Sequence, residues 1–309
     1  MERYLIYGIT AFCTVAMSCT DTDTLQENVS YENELQLASI QTSSTIDAVN
    51  VYVADKDGAA YITEEGKVTS LIFKKSSSGG WASGEKVDIT TEKGEASIYA
   101  CYPSTETINN ENTSPYINIK VLKGSDSEPL DFSAGAQTDY LYATPVKATQ
   151  SNRSVSLTMQ HALAKVSFCV KKEKDVTEEI ILTNLVIQSG GSLLQSGEGV
   201  MQLKDGGLNG LVSTSSITLQ GSVKVDMNQS SPNVTCLVAP MNAKEAVLSF
   251  TLTVNGRSFS TASISPAVQW VAGNHYVYNI TIKKIGGTLS GMQIIDWRND
   301  ASQNTVIGI

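Results

Sequence analysis

The fold is decided most clearly by residues 248–260, which read Leu248-Ser249-Phe250-Thr251-Leu252-Thr253-Val254-Asn255-Gly256-Arg257-Ser258-Phe259-Ser260. Every even position up to Val254 is apolar and every odd position is Ser or Thr, a period of two that is typical of a half-buried strand. Asn255-Gly256 interrupts the alternation, and this dipeptide favours a type I′ turn between two antiparallel strands. The stretch therefore predicts a β-hairpin.

Alternation of the same kind recurs elsewhere in the chain. Residues 155–159 and 276–282 repeat it, and Gly, Asn and Ser turns separate such runs over most of the length. No window of about a dozen residues holds a 3.6-residue apolar period made of good helix formers. Short strands at this spacing are typical of β-sandwiches or barrels. We therefore expect an all-β, largely antiparallel protein.

The N-terminus carries the pattern of a removable export signal. A charged start precedes an apolar run over residues 5–17, which is too short to span a bilayer comfortably as a permanent helix. Ala16 and Ser18 are small residues three and one positions before Cys19, as in the lipobox of a bacterial lipoprotein. We therefore predict a signal peptide over residues 1–18, cleavage between Ser18 and Cys19, and lipidation of Cys19.

Two features qualify and extend this prediction. Met17, and the absence of a Leu three positions before the cysteine, depart from the strictest lipobox, so plain secretion and an uncleaved anchor stay open as alternatives. Asp21 and Asp23 follow the cysteine and are interpreted as an export address for the outer leaflet. Acyl chains at Cys19 would attach an otherwise aqueous protein to the membrane.

Charge and cysteine content exclude several classes of protein. The formal net charge is −9, and an acidic chain does not favour binding to nucleic acid, whose phosphates require basic residues. With Cys13 and Cys19 set apart, Cys101, Cys169 and Cys236 remain, an odd and widely spaced set that is not a disulfide framework. Each lies in a strand-like run, so we expect all three to be buried as small apolar residues.

The length of the chain favours two domains. Residues 19–36 are polar and acidic and are predicted to be a tether or a first strand. The apolar pattern is interrupted near residues 147–152, which predicts an N-terminal β-sandwich over residues 37–148 and a C-terminal β-sandwich over residues 149–309.

Several short phrases carry a family resemblance through their order and spacing. They are ASIYACYP (96–103), DYLYA (139–143), VSLTMQHALAKVSF (155–168), VTCLVAP (234–240), WVAGNHYVYNI (270–280) and IIDW (294–297). Behind a lipobox, this series resembles the fimbrillin family of lipoprotein pilins and anchor proteins.

The resemblance implies a fold, a location and a mode of assembly. It implies two tandem transthyretin-like antiparallel β-sandwiches, export as a lipoprotein to the cell outer membrane, and a role in adhesion within a fimbrium. Its partners would be other fimbrial subunits, joined by β-strand exchange, and ligands on host or bacterial surfaces. Strand addition of this kind uses the open edge of a sheet.

One departure from the family bears on maturation. No arginine lies between Arg3 and Arg153, and the first basic residue after the signal is Lys56. An arginine-specific protease, which the best-known fimbrillins use, therefore has no place to cut near the N-terminus. Either another protease acts, or the lipidated segment stays and the protein is an anchor or accessory subunit. Residues 285–309 could likewise close the second domain or serve as a donated strand.

No pattern of residues indicates catalysis, a cofactor or a metal site. His161 is interpreted as a hydrogen-bonded residue at a strand bend and His275 as a turn residue at the start of a strand. Two histidines so placed form neither a zinc site nor a nucleophile–base pair. A glycosidase needs two carboxylates as acid and nucleophile, and without a fold the sequence cannot show which two lie within reach of each other. The candidates include Asp131, Asp139, Asp205 and Asp226.

The tryptophans leave one alternative function open. Trp270 and Trp297 lie beside predicted strands, where burial is the common fate of the indole ring. Trp81 follows Ser and Gly residues and is expected to be exposed in a loop. An exposed indole can stack on a sugar, so a surface glycan-binding lipoprotein is the alternative to a fimbrial subunit.

Overall fold

The structure is a computed structural model. It describes residues 33–61, 70–125, 127–135, 137–191, 193–241, 247–261, 263, 269–283, 286–296 and 305–307, the last two ranges by their backbone. This described part consists of strands, turns and loops and contains no helix. The prediction of an all-β fold is confirmed.

The strands follow one another along the whole described chain. In chain order they are β1 (Gln36–Gln41), β2 (Ala48–Ala54), β3 (Ser70–Lys75), β4 (Trp81–Ser83), β5 (Ala96–Tyr102), β6 (Ile108–Glu111), β7 (Ser114–Val121), β8 (Leu130–Asp131), β9 (Leu141–Ala148), β10 (Ser154–His161), β11 (Ala164–Lys172), β12 (Ile181–Ser189), β13 (Leu194–Gln202), β14 (Leu208–Asn209), β15 (Val212–Thr214), β16 (Ser216–Lys224), β17 (Val234–Val238), β18 (Leu248–Val254), β19 (Arg257–Ser260), β20 (Asn274–Lys283), β21 (Gly286–Asp296) and β22 (Thr305–Ile307).

The first half of the chain forms a seven-stranded sheet in the order β1-β10-β9-β5-β2-β3-β4. Its pairs are antiparallel except for β1 and β10, which run parallel. Its apolar side chains form a first core cluster that runs from Leu35 to Met159. Residues Val155 and Leu157 of β10 belong to this cluster, so the packing groups β10 with the strands before it.

Two five-stranded sheets make up most of the second half. Their strand orders are β17-β11-β20-β21-β22 and β19-β18-β12-β16-β8. Both sheets contribute to a second core cluster. At its centre the ring of Phe250 from one sheet meets the rings of Phe168 and Tyr278 from the other, at centroid distances of 4.8 Å each. The two sheets therefore face one another as a sandwich.

A small sheet joins residues from both halves of the chain. Its order is β14-β13-β7-β6, with β15 also paired to β13. β7 comes from the first half and β13 from the second, and they pair antiparallel from Tyr116 opposite Gln202 to Val121 opposite Gly197. The inner side of this sheet packs on a third core cluster, to which Ile117 and Met201 contribute. The number of domains and the boundary near residue 148 stay predictions.

The hairpin predicted from residues 248–260 is confirmed. β18 and β19 pair antiparallel with Val254 opposite Arg257. Asn255 and Gly256 have φ angles of 47° and 75°, the positive values that a type I′ turn requires. Towards the C-terminus, β21 pairs with β20 and β22 pairs with β21. The described part of residues 285–309 therefore belongs to the sheet β17-β11-β20-β21-β22.

Candidate functional site

Residues 33–41, here named the closing segment, complete the seven-stranded sheet. Their first part bonds to residues 87–89: the Leu35 N–H donates to the Val87 carbonyl (2.8 Å) and the Ile89 N–H donates to the Asn33 carbonyl (2.7 Å). Their second part is β1, which pairs parallel with β10 from Gln36 opposite Ser154 onward. The segment thus bonds first to residues 87–89 and then to β10, where it forms the edge strand of the sheet, and we name the groove that it fills the slot.

Apolar side chains of the closing segment fill the floor of this slot. Leu35 and Leu37 are buried and belong to the first core cluster, and Ile40 is partly buried against it. Complete burial of a leucine is worth about 1.5–3 kcal/mol, so the two leucines contribute substantially to the affinity of the segment for the slot. The apolar alternation of the segment therefore also fixes its register.

The polar ties of the segment are few and lie at the surface. Glu34 forms an ion pair with Lys86 at 3.2 Å, and the Ser39 hydroxyl donates to the Ser156 hydroxyl at 2.9 Å. A register shift between Leu37 and Ser39 interrupts the parallel pairing with β10. Exposed ion pairs contribute at most about 1 kcal/mol. The segment is thus held mainly by backbone hydrogen bonds and its buried leucines.

A polar cluster fastens the loop that follows the closing segment. The Ser43 hydroxyl lies 3.0 Å from His161 Nε2, and His161 Nδ1 lies 2.9 Å from Asp139 Oδ1. The Ser44 hydroxyl donates to Asp139 Oδ2 at 3.3 Å. The His161 side chain is almost fully buried, at 1% exposure, whereas that of Asp139 is 24% exposed. We name Ser43, Ser44, Asp139 and His161 the His161 cluster.

The carboxylate of Asp139 indicates which group donates and which accepts in each of these hydrogen bonds. A carboxylate oxygen accepts, so in the tautomer with the proton on Nδ1 the ring donates to Asp139 and its Nε2 accepts from the Ser43 hydroxyl. The order serine–histidine–aspartate is that of a hydrolase triad. A triad also needs backbone donors for an oxyanion. The Ser44 N–H beside the hydroxyl of Ser43 already donates to Thr42 Oγ1 at 3.1 Å. We therefore interpret the cluster as a structural tie.

The prediction for His161 is confirmed, because it is a hydrogen-bonded residue at the end of β10. Its partners Ser43 and Asp139 were not predicted. They lie 118 and 22 positions from His161 in the chain, and no local pattern marks them.

Two other expectations are wrong. His275 lies at the start of a strand, as expected, but it is part of β20 rather than of a turn, since it pairs with Lys165 of β11 and its Nε2 lies 2.8 Å from the Ser167 hydroxyl. Trp81 does not lie in an exposed loop but opens β4, where its half-buried ring packs on the first core cluster. The reason is a tight turn before it, closed by the Ser76 N–H that donates to the Gly80 carbonyl at 2.7 Å.

The three described cysteines are free and buried, as predicted. Burial raises the pKa of the Cys236 thiol to about 12, and burial likewise raises the pKa of Cys101 and Cys169. These cysteines therefore behave as small apolar core residues. Trp270 is buried as expected, and its indole N–H donates to the Tyr278 hydroxyl at 2.9 Å.

Asp131 and Asp205, two of the carboxylates singled out from the sequence, bond to neighbours in their own loops. Asp131 Oδ1 accepts from the Ser133 N–H and hydroxyl, and these hydrogen bonds, the hydroxyl first, lower the pKa of Asp131. Asp205 Oδ1 accepts from the Gly207 N–H at 2.9 Å. Within the residues that the structure describes, no group of three or more His, Cys, Asp or Glu side chains could hold a metal ion.

Several predictions concern residues outside the described part. These are the signal peptide over residues 1–18, the cleavage and lipidation at Ser18 and Cys19, and the role of Trp297. They stay predictions. Among the residues that are described, no helix has the length and apolar character needed to cross a membrane.

Fold and site together define a class of protein: all-β proteins in which a strand early in the chain closes one edge of a sheet. The chain belongs to the fimbrillin-like family, whose sequence model matches residues 38–297. The family resemblance of the ordered phrases is thereby confirmed.

Solved structures of Bacteroides proteins share the fold. A fimbrial protein from Bacteroides vulgatus has a TM-score of 0.60 at 12% identity, over 86% of this chain and 99% of that one. A candidate cell adhesion protein from Bacteroides uniformis has a TM-score of 0.59 at 19% identity, over 85% of this chain and 99% of that one. A search of curated proteins found no match. At these identities the likeness establishes the fold.

Proposed function

We propose that the protein is a lipid-anchored fimbrial subunit of the outer cell surface, which serves adhesion and joins other subunits by β-strand exchange. The observation that carries the proposal is the slot filled by residues 33–41. Membership of the fimbrillin-like family supports the fimbrial role. The structural relatives, a fimbrial protein and a candidate cell adhesion protein, support the adhesive one.

The slot has the physical properties that strand exchange needs. Two backbone edges offer hydrogen bonds to any extended segment, while the pockets of Leu35 and Leu37 select alternate apolar side chains. A replacement strand from a neighbouring subunit would satisfy the same edges, so exchange changes the net number of hydrogen bonds little. An unfilled slot would expose both edges and an apolar floor, which is an aggregation hazard.

The proposed lipid and the slot are coupled by the order of residues along the chain. Cys19 comes before the closing segment in the chain, and every described strand after β1 comes after the closing segment. A lipid on Cys19 would therefore hold the protein at the membrane through the closing segment. Cleavage after this segment, together with its exchange, would release the body from the lipid. An uncut segment would keep the subunit as an anchor.

The maturation route is tested on protein isolated from cells. Intact mass and N-terminal sequencing would show either an acylated Cys19 or a start at a later residue. An acylated Cys19 supports an anchor or accessory subunit, and a start beyond residue 41 supports a polymerising subunit. An unmodified Cys19 at the N-terminus, or an uncleaved Met1, contradicts the lipoprotein part of the proposal.

Strand exchange is tested with a cleavable variant. A protease site is placed in the loop over residues 42–47, and the cut protein is incubated with a peptide of residues 286–309. We expect a complex or polymers in native mass spectrometry, with the closing segment displaced. The matched controls are the uncut protein and the same peptide with alternate apolar residues changed to Asp. A cut protein that loses its segment and remains a monomer with free peptide would refute strand exchange.

Surface glycan binding is the second candidate function. Trp81 does not supply the expected platform, because its ring packs on the first core cluster. A polar cleft on the small sheet, lined by Tyr116, Gln202 and Asp205 among others, offers a different site.

A further inference from the structure

An open polar cleft lies on the small sheet that joins both halves of the chain. It encloses about 570 Å³, and its lining includes Glu111, Tyr116, Gln202, Lys204, Asp205 and Asn209. This volume is within the range of about 300–1,000 Å³ that is usual for ligand sites. We name it the junction cleft.

The strand register explains why these side chains meet. Tyr116 of β7 lies directly opposite Gln202 of β13. Their neighbours Ile117 and Met201 are fully buried in the third core cluster. Because successive side chains of a strand point to opposite faces, Tyr116 and Gln202 share the outer face of the sheet. The cleft therefore exists only when β7 and β13 have paired.

Both rims of the cleft are tight turns. The turn between β6 and β7 holds Asn112 and Thr113 at φ angles of 50° and 63°. The turn between β13 and β14 holds Gly206 at 71°, packed so closely on Tyr142 that a Cβ atom would clash with its ring. Tight turns limit the conformations that the rims can adopt, which reduces the ordering cost of binding.

The polar groups of the cleft retain free hydrogen-bonding capacity. Tyr116 Oη donates to Glu111 Oε1 at 3.1 Å, which fixes the ring and leaves the second carboxylate oxygen of Glu111 open. Asp205 uses Oδ1 to accept from Gly207. Within the described residues, the side chains of Gln202 and Asn209 make no hydrogen bond to another protein group. These amides present both donors and acceptors.

The chemistry of these groups selects the ligand. Planar carboxylates and amides can each bind two adjacent hydroxyls, and the face of a tyrosine ring packs against the C–H groups of a pyranose. Two carboxylates against one lysine disfavour phosphates, sulfates and acidic sugars. We propose that the junction cleft binds a neutral glycan, held by Gln202, Asp205 and Asn209 with its apolar face on Tyr116. This inference rests on the adhesive role proposed above and assigns it a ligand class and a site.

The test uses the full-length protein on an array of oligosaccharides ending in glucose, galactose, mannose or fucose, with sialylated and sulfated glycans alongside. The strongest neutral glycan is then titrated into the protein by calorimetry. We expect saturable binding that weakens at least about tenfold in Gln202→Ala and in Asp205→Asn, the size of effect expected for one lost hydrogen bond to a ligand. Tyr116→Phe should keep most of the affinity, because the ring remains.

Matched variants separate the cleft from general effects. Gln220→Ala and Asp175→Asn make the same chemical changes at exposed positions outside the cleft lining, and both should bind like the unmodified protein. Unchanged melting temperatures exclude misfolding. An array without a neutral hit, a preference for acidic glycans, or binding that ignores both cleft variants would overturn the inference.

The same variants keep this test separate from that of strand exchange. The junction cleft and the slot of the closing segment are lined by different residues, so Gln202→Ala should exchange strands normally. A failed exchange assay with intact glycan binding counts against assembly alone. Normal exchange without glycan binding counts against the cleft alone.

Discussion

Replacement of His161 by phenylalanine should loosen the closing segment selectively. The substitution keeps an aromatic ring in the buried position but removes the bonds to Asp139 and Ser43. The bond to the carboxylate is worth about 1.5–3 kcal/mol and the bond to the hydroxyl about 0.5–1.5 kcal/mol. The more apolar ring regains about 1 kcal/mol. Partial solvent access to Asp139 limits the penalty for its lost partner, so we expect a net loss of about 2 kcal/mol.

This loss should be local, because the His161 cluster fastens the loop that follows the closing segment. A difference of 1.4 kcal/mol is a factor of ten, so opening of residues 33–41 should become about 30-fold more frequent. Hydrogen–deuterium exchange read by mass spectrometry measures this directly on peptides that cover residues 33–47. The loss of protection should be largest at the end of β1 next to this loop and smaller towards Leu35, whose amide donates to Val87.

A matched variant guards against a general effect of losing a histidine. His275→Phe removes the bond between Nε2 and the Ser167 hydroxyl, in the sheet of β11 and β20. It should increase exchange in those strands and leave residues 33–47 unchanged. Two results would refute the proposed role of the His161 cluster: equal protection of the closing segment in His161→Phe and in the unmodified protein, or equal loss of protection in both variants.

Three further experiments have defined expected outcomes. Ile117→Ala, at a fully buried position of the third core cluster, should cost about 2–5 kcal/mol and lower one cooperative transition in calorimetry; two separate transitions would show that the halves unfold independently. Cys236, whose pKa burial raises to about 12, should resist a thiol reagent at pH 8 because the thiolate is disfavoured, and should react on addition of denaturant; fast labelling of native protein would contradict its burial. Gly256→Ala should cost about 1 kcal/mol in chemical denaturation because its φ is 75°, whereas Gly84→Ala, where the added Cβ meets no atom within 4 Å, should be neutral; equal effects would argue against the type I′ turn.

Local sequence was enough where a few neighbouring residues set the structure. The alternation from Leu248 to Val254 and the Asn255-Gly256 turn produced the hairpin that the structure contains. The burial of Cys101, Cys169 and Cys236 followed from the apolar runs around them. Each case depends on the period of a strand or on backbone angles that particular residues prefer, and both are local properties.

Local sequence misled where a neighbouring turn or a distant strand controlled a residue. Trp81 follows a run of Ser and Gly, yet the tight turn closed by Ser76 and Gly80 lets β4 begin at the tryptophan. His275 follows Asn274, yet parallel pairing with β11 extends the strand through it. In both cases sheet pairing overrode the loop character of the sequence.

By itself, the sequence determined the all-β class, the central hairpin and, through its ordered phrases, the fimbrillin-like family. It also carries the prediction of a lipid at Cys19. Only the tertiary structure decided that residues 33–41 fill a slot beside β10, that β7 and β13 form one sheet, and that Ser43 meets His161. The reason is that these contacts join residues far apart in the chain, and their free energy comes from burial and pairing that arise only when the sheets assemble.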